Sequence, residues 1–342
     1  MTTLGILWYF LIFLLIAGYF VLDGFDLGAG VLYPFIAKNE TEKAIIRRAI
    51  GPVWDGNEVW LLTAGGALFA AFAPAYATTF SGFYLAIMLV LFGLILRAVS
   101  IEFAARDRAW AKLWDICFFI GSLLPALLLG VAVGNVYAGI PMDAAGNYSG
   151  VPLIGLITPF TLLCGLLGLA MFCCAGASWI ALKAPETSEL RDRATKLRAI
   201  LQLVAILVFA FVSIYGHFII RPHMVPELAI ARWVCVAVFL AGMVLALVWG
   251  RDEHRDVHVF VAQSASAVGL TFLLATSMFP NLVVASADSV GPPITIATAA
   301  ASDLTLAWMT GIAVVGVILV LVYHVFVYRT FRGRIDEDDL GH

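Results

Sequence analysis

An all-α, polytopic membrane fold is what this sequence predicts, and three observations carry that expectation: its composition, the spacing of its apolar runs and the placement of its basic residues. Of 342 residues, 62% are apolar and 13% charged, too little polar surface to cover a soluble domain. A bilayer core about 30 Å thick takes about 20 apolar residues per helix. Runs of that length recur along the chain with short charged stretches between them, and about nine such runs are expected as transmembrane helices.

In chain order the expected spans are about 5 to 36, 50 to 74, 78 to 98, 112 to 135, 152 to 182, 197 to 220, 232 to 250, 257 to 279 and 303 to 328. The first could be taken for a leader segment. Met1 to Gly5 carries no Lys or Arg, however, and no small-residue cleavage site follows, so a membrane helix is expected. The whole chain, 1–342, reads as a single integral membrane domain, with a first bundle over about 1–135, the remaining helices over about 152–330 and a short tail at 331–342.

The basic residues alternate between connections, as they must if cytoplasmic loops keep Lys and Arg. Lys38, Lys43, Arg47 and Arg48 follow the first span; Arg97, Arg106, Arg108 and Lys112 follow the third; Lys183, Arg191, Arg193, Lys196 and Arg198 follow the fifth. Arg251 and Arg255, then Arg329, Arg332 and Arg334, complete the series. Only Arg221 and Arg232 of the 20 basic residues fall in the other connections. An odd number of spans with the N-terminus outside and the C-terminus cytoplasmic satisfies this pattern. The outer connections, Gly139 to Gly150 and Pro280 to Ser302, are rich in Gly, Pro and Ser and suit either ordered caps or docking surfaces. A net charge of −3 gives no reason to expect a nucleic-acid partner.

Four acids lie inside expected spans: Asp23 and Asp26 in the first, Asp55 and Glu58 in the second. A charged carboxylate at the bilayer centre costs about 2.5–3.5 kcal/mol even on the lenient insertion scale, so these side chains must face protein or water. Each pair is spaced i, i+3 and shares a helix face. Gly24 and Gly28, with Gly30 beyond, form a small-residue stripe that lets another backbone approach beside the acids. At about 1.5 Å per residue from the basic margin, Asp55 lies roughly 10 Å deep, Glu58 about 15 Å, Asp26 about 18 Å and Asp23 about 22 Å. Such a carboxylate ladder suits a proton inlet. It also suits packing hydrogen bonds to Trp54, Asn57 or backbone, or an ion site, and the spacing leaves these open.

Histidine or methionine in mid-membrane would be needed to ligate a haem. His217 is expected near the outer end of the sixth span, His223 in a loop, His254 on the basic side, His258 and His324 near helix ends and His342 at the terminus, with no two facing each other across helices. His254 and His258, four apart, are better read as a solvated end than as a metal clamp. Cys117, Cys164, Cys173, Cys174 and Cys235 fall inside spans without metal-ligand spacing and are expected as small buried side chains. No metal is expected on this chain.

The strings LDGFDLGAG at 22–30 and GPVWDGNEVWLLTAGGALFA at 51–70 resemble subunit II of cytochrome bd-type quinol oxidases. The resemblance extends through the segment holding Arg97, FIGSLLPALLLGVAVGN at 119–135, MFPNLV at 278–283 and RGRI at 332–335. It implies two four-helix bundles plus one peripheral helix. It further implies a heterodimer in which subunit I binds quinol and ligates haem b and haem d, none being ligated here, with room for a small accessory transmembrane subunit. Asp55 would then carry cytoplasmic protons towards the oxygen site, with Glu58, Asp26 and Asp23 continuing the route and Trp54, Asn57, Gly24, Gly28, Gly30 and Arg97 supporting it. One departure is Thr298, where the resemblance implies Asn or Asp. Two rival readings of the same acids are a self-sufficient proton-coupled transporter and a scaffold that carries no protons.

Overall fold

The computed structural model describes residues 1–104, 106–220, 224–252 and 254–335; Arg221, His223 and His342 therefore lie outside the described residues. The first helix, α1 (Thr3–Ile36), begins where the Thr2 hydroxyl accepts the Gly5 N–H at 3.1 Å, an N-cap that satisfies one of the helix's orphan donors. Its 34 residues extend about 50 Å, more than the hydrocarbon core needs. α1 is the hub of the molecule and packs against α3 (Trp54–Ala71), α6 (Ala111–Ala138), α7 (Pro159–Lys183) and α10 (Asp256–Met278).

Between α1 and α3 runs α2 (Glu40–Ile50), capped by the Asn39 side chain. It buries Ile45, Ile46, Ala49 and Ile50 and exposes Glu40 and Arg48. The sequence reading placed only a loop here. An 11-residue amphipathic helix is too short and too charged to register as a span, and it lies on the bundle through one apolar face.

Eight described helices are long and apolar enough to cross a membrane. They are α1, α5 (Tyr84–Phe103), α6, α7, α8 (Glu189–Tyr215, prolonged through 220 by one wider turn), α9 (Ala229–Trp249, entered through a short turn from Pro226), α10 and α12 (Asp303–Thr330). The remaining expected span, 50 to 74, is the 18-residue α3, whose first turns carry Asp55, Asn57 and Glu58. The chain breaks at Phe72 and restarts as the short α4 (Ala73–Gly82), with Pro74 in its first turn, where its missing N–H is no loss. That break delays α5, expected over 78 to 98, to residues 84–103.

The outer connections form an ordered cap. Strands β1 (Asn281–Val283) and β2 (Ile294–Thr295) pair antiparallel, and Ile140 N–H donates to the Val284 carbonyl at 3.0 Å. α6 ends at Gly139 with φ +94°, where a Cβ would sit 2.9 Å from the Ala285 carbonyl group. α11 (Ile296–Ala299) follows β2, and Thr298 and Thr295 cap each other there. α12 leans on the bundle through few contacts, Leu306 being its one buried residue. Trp8 pins it by donating to the Leu306 carbonyl and the Thr310 hydroxyl at 3.1 and 3.0 Å.

Candidate functional site

The glycine stripe of α1 sets the geometry. A Cβ on Gly28 would lie 1.8 Å from the Phe172 carbonyl oxygen, and one on Gly176 of α7 would lie 2.3 Å from the Ala29 nitrogen, so α1 and α7 touch backbone to backbone. Gly24 lies under the Phe172 ring, and Gly30 turns instead to Ser122 of α6, whose Oγ a Cβ would meet at 2.0 Å. With these faces committed, Asp23 and Asp26 are fully buried and turned towards α3 and α5.

Arg97 of α5 meets them there. It is fully buried, and its Nη2 donates to Asp23 Oδ1 at 2.6 Å and also to Glu58 Oε1. The sequence reading counted Arg97 among the loop cations; this is corrected, because α5 continues to Phe103 and places the residue inside the bundle. The close approach of α6 supports the position: a Cβ on Gly121 would lie 2.6 Å from the Arg97 backbone nitrogen. Three carboxyl groups thus surround one guanidinium, and two of them are shielded from solvent while Glu58 keeps 24% of its side chain exposed.

Asp26 is held separately. Asn57 Nδ2 donates to Asp26 Oδ2 at 2.8 Å and to the Leu22 carbonyl at 3.2 Å, and the Tyr328 hydroxyl of α12 donates to Asn57 Oδ1 at 3.1 Å. One turn along α3, Trp60 Nε1 donates to His324 Nε2 at 3.2 Å, while His324 Nδ1 lies 2.8 Å from the Val320 carbonyl. A carbonyl only accepts, so His324 carries its proton on Nδ1. Asp55 is exposed in the first turn of α3, and Trp54 beside it is half-buried. The expected order Asp55, Glu58, Asp26, Asp23 becomes a fork: Glu58 reaches Asp23 through Arg97, and Asp26 sits on the Asn57 amide.

Three buried polar atoms around this fork have no hydrogen-bond partner among the described residues, Asp26 Oδ1, Arg97 Nε and Arg97 Nη1, and the Tyr19 hydroxyl faces Asp23. Tyr19, Trp60, His324, Tyr328 and the bridging role of Arg97 were not read from the sequence. Two signals were available: Tyr19 precedes Asp23 by one helical turn, and Arg97 is flanked by apolar residues on both sides, unlike a loop cation.

Two further polar groupings lie at the basic end of the bundle. Lys43 Nζ and Arg47 Nη1 bridge to Asp115 at 2.7 and 3.0 Å. Hydrogen bonds to Asp115 and then Glu40 hold the Lys43 ammonium above the ordinary lysine range. Asp256 is buried between Arg191 and Arg198 at 2.9 and 3.0 Å, with Arg334 at 3.5 Å. A cavity of about 930 Å³ between α1, α6, α7, α8, α9 and α10 is lined mostly by apolar side chains, with His217, Arg232 and Tyr137 among them. His217 is the one imidazole among the described lining residues. His254 lies 3.8 Å from Glu186, and the exposed His258 packs edge-on to Trp249. No group of three or more His, Cys, Asp or Glu among the described residues is arranged to hold a metal ion.

Long apolar helices, short connections and a buried cluster of carboxyl groups define a multi-pass membrane protein of the helical-bundle class. The fold matches a bd oxidase from Geobacillus thermodenitrificans with a TM-score of 0.78 at 16% identity, covering 96% of this chain and 99% of that one. In sequence, residues 4–331 match the family model of cytochrome bd terminal oxidase subunit II. Subunit 2 of the cytochrome bd-I ubiquinol oxidase of Escherichia coli is 33% identical over 371 residues, covering 98% of this chain and 96% of that one. Subunit 2 of the cytochrome bd ubiquinol oxidase of Bacillus subtilis is 33% identical over 349 residues, covering 99% of each. The chain belongs to the family of cytochrome bd terminal oxidase subunit II, and so is a membrane subunit of a haem-containing oxidoreductase complex that includes another oxidase subunit.

Proposed function

We propose that this chain is the haem-free half of a bacterial plasma-membrane quinol oxidase and that it brings cytoplasmic protons towards the oxygen site. Haem b and haem d are ligated by the partner, subunit I, which also binds quinol. Oxidation of each quinol at the outer side gives quinone, two protons and two electrons. Reduction of each oxygen molecule consumes four electrons and four protons, the protons drawn from the cytoplasm, and yields two waters. The N-terminus lies outside and the C-terminus in the cytoplasm, as the basic connections require, so uptake on one side and release on the other generates proton-motive force. The full chain acts as one integral membrane unit, with α12 as the peripheral helix.

The observation that carries this reading is the fork of carboxyl groups around Arg97. Acids outnumber the cation, so the cluster has carboxyl groups able to exchange a proton. Exposed Asp55 stands one turn before Glu58 and supplies the entry; Glu58 hands on to Asp23, and Asn57 and Tyr328 hold Asp26 in place. Purification through a tag on this chain, followed by a reduced-minus-oxidised spectrum and a quinol-driven oxygen assay, tests the assignment. Haem b and haem d bands with oxygen uptake are expected. A colourless, inactive chain isolated alone in mild detergent would overturn it.

A further inference from the structure

A second cavity, of about 190 Å³, opens at the basic end of the bundle where α2, α7 and the end of α12 meet. Arg48, Lys183, Arg332 and Arg334 line it, with Trp179 and Tyr328, and no Asp or Glu is among its described lining residues. At about 30 Å³ for a water molecule, the volume holds a phosphodiester group with a few waters. Two of the cations shape the cavity. Lys183 Nζ donates to the Phe331 and Gly333 carbonyls at 2.5 and 3.4 Å, and Arg334 Nη1 donates to the Ala181 and Ala184 carbonyls at 2.9 Å each. These bonds fold residues 331–335 back onto the end of α7. Trp179 closes the opposite wall by donating to the Ala49 carbonyl at 2.9 Å.

The other two cations have no such task. Arg48 and Arg332 are exposed, and neither side chain makes an ion pair or hydrogen bond with a described residue. Charge of one sign converges on a concave site with no carboxylate among its described lining residues, Arg334 reaching Asp256 at 3.5 Å, beside Trp and Tyr rings of the kind that settle at the membrane interface. Above the cavity, α12 presents Val322 and Phe326, both exposed, as an apolar track for acyl chains.

We propose that this cavity binds the phosphate of an anionic phospholipid, its headgroup held by Arg48 and Arg332 and its chains lying along α12. Basic pockets between transmembrane helices are suited to such headgroups. The lipid would tie α2, α3 and the 331–335 segment to α12, the helix otherwise held by few contacts. The site is separate from the carboxylate fork and does not rest on the proposed proton route.

The test is lipid retention by the purified oxidase complex, read by native mass spectrometry after exchange into detergent with mixed phosphatidylglycerol and phosphatidylethanolamine. The wild type is expected to keep one phosphatidylglycerol. Arg48→Gln/Arg332→Gln is expected to hold it about 30-fold more weakly, at about tenfold per 1.4 kcal/mol and about 1 kcal/mol for each basic residue near the surface. A control pair of exposed cations away from the cavity, Lys196→Gln/Arg251→Gln, is expected to retain the lipid. Equal retention in wild type and the Arg48/Arg332 variant, or equal loss in the control, would overturn the proposal. Displacement of the lipid by millimolar inorganic phosphate would overturn the lipid assignment in favour of a free-phosphate site.

Discussion

Replacing Arg97 by leucine removes the cation that two carboxyl groups share. Asp23 is fully buried and loses its ion-pair partner; Glu58, with 24% of its side chain exposed, can turn towards solvent. Breaking a buried pair from one side costs about 3–5 kcal/mol, because the surviving charge is left in a poorly polarisable interior. At an unfolding entropy of about 2.1 cal/mol/K per residue, a chain of this length loses roughly 4–7 °C of melting temperature. The diagnostic comparison is the double variant Arg97→Leu/Asp23→Asn, in which the stranded charge becomes a neutral amide. It is expected to recover at least half of the loss. Thermal melts of the purified complex decide the matter. A single variant that melts with the wild type, or a double variant that melts below the single one, would refute the view that Arg97 compensates Asp23.

Other consequences follow from the same geometry. Gly28→Ala pushes a methyl group into the Phe172 carbonyl and is expected to abolish the yield of intact complex, whereas Gly168→Ala, whose Cβ would come no closer than 3.3 Å to any neighbour, the Gly130 Cα, is expected to reduce it slightly; equal yields would show that α1 and α7 can separate freely. His217→Ala is expected to leave every haem band of the reduced-minus-oxidised spectrum in place, and loss of a band would show that this chain supplies an axial ligand. The folded-state value of Lys43 is raised, so its bridge contributes fully below the unfolded lysine value of about 10.4 and is lost as pH rises through the folded value. Lys43→Gln should therefore lower the melting temperature equally at pH 7 and pH 9, by an amount worth about 0.2–1 kcal/mol; a difference that fades between those two pH values would refute the bridge.

Much of the fold was legible because hydrocarbon enforces a simple code. Each long apolar run either became a membrane-length helix or, for residues 50–74, the shorter α3, and one boundary moved where a local signal competed. At Phe72 to Pro74 the helix breaks and restarts, and this shifted α5 by several residues. α2 escaped notice because its apolar face is only a few residues wide and its charges mark it as a loop. The acids at 23, 26, 55 and 58 stood out because charge in an apolar run must be explained, and Gly24, Gly28 and Gly30 pointed to close helix contact. What spacing could not supply was the partner across helices. Arg97 lies 39 residues from Glu58 and 74 from Asp23, and only tertiary packing brings them together. Tyr328 and His324 were hidden for the same reason, being contributed by a helix from the far end of the chain. The cavity of about 930 Å³ arises from side chains on six helices, and no local pattern announces it.

The most direct measurement is proton uptake from the cytoplasmic side during quinol-driven turnover, made on the assembled complex in liposomes with Asp55→Asn and, separately, Asp26→Asn. Loss of a positioned proton-transfer group costs a factor of about 10²–10⁴ where that transfer limits the rate. Asp55→Asn is therefore expected to slow oxygen consumption and proton uptake together by about tenfold or more, with both haem spectra intact and Asp26→Asn showing a smaller loss. Wild-type oxygen consumption and wild-type proton uptake in assembled complexes carrying either substitution would contradict the route and leave the chain as a scaffold within its complex.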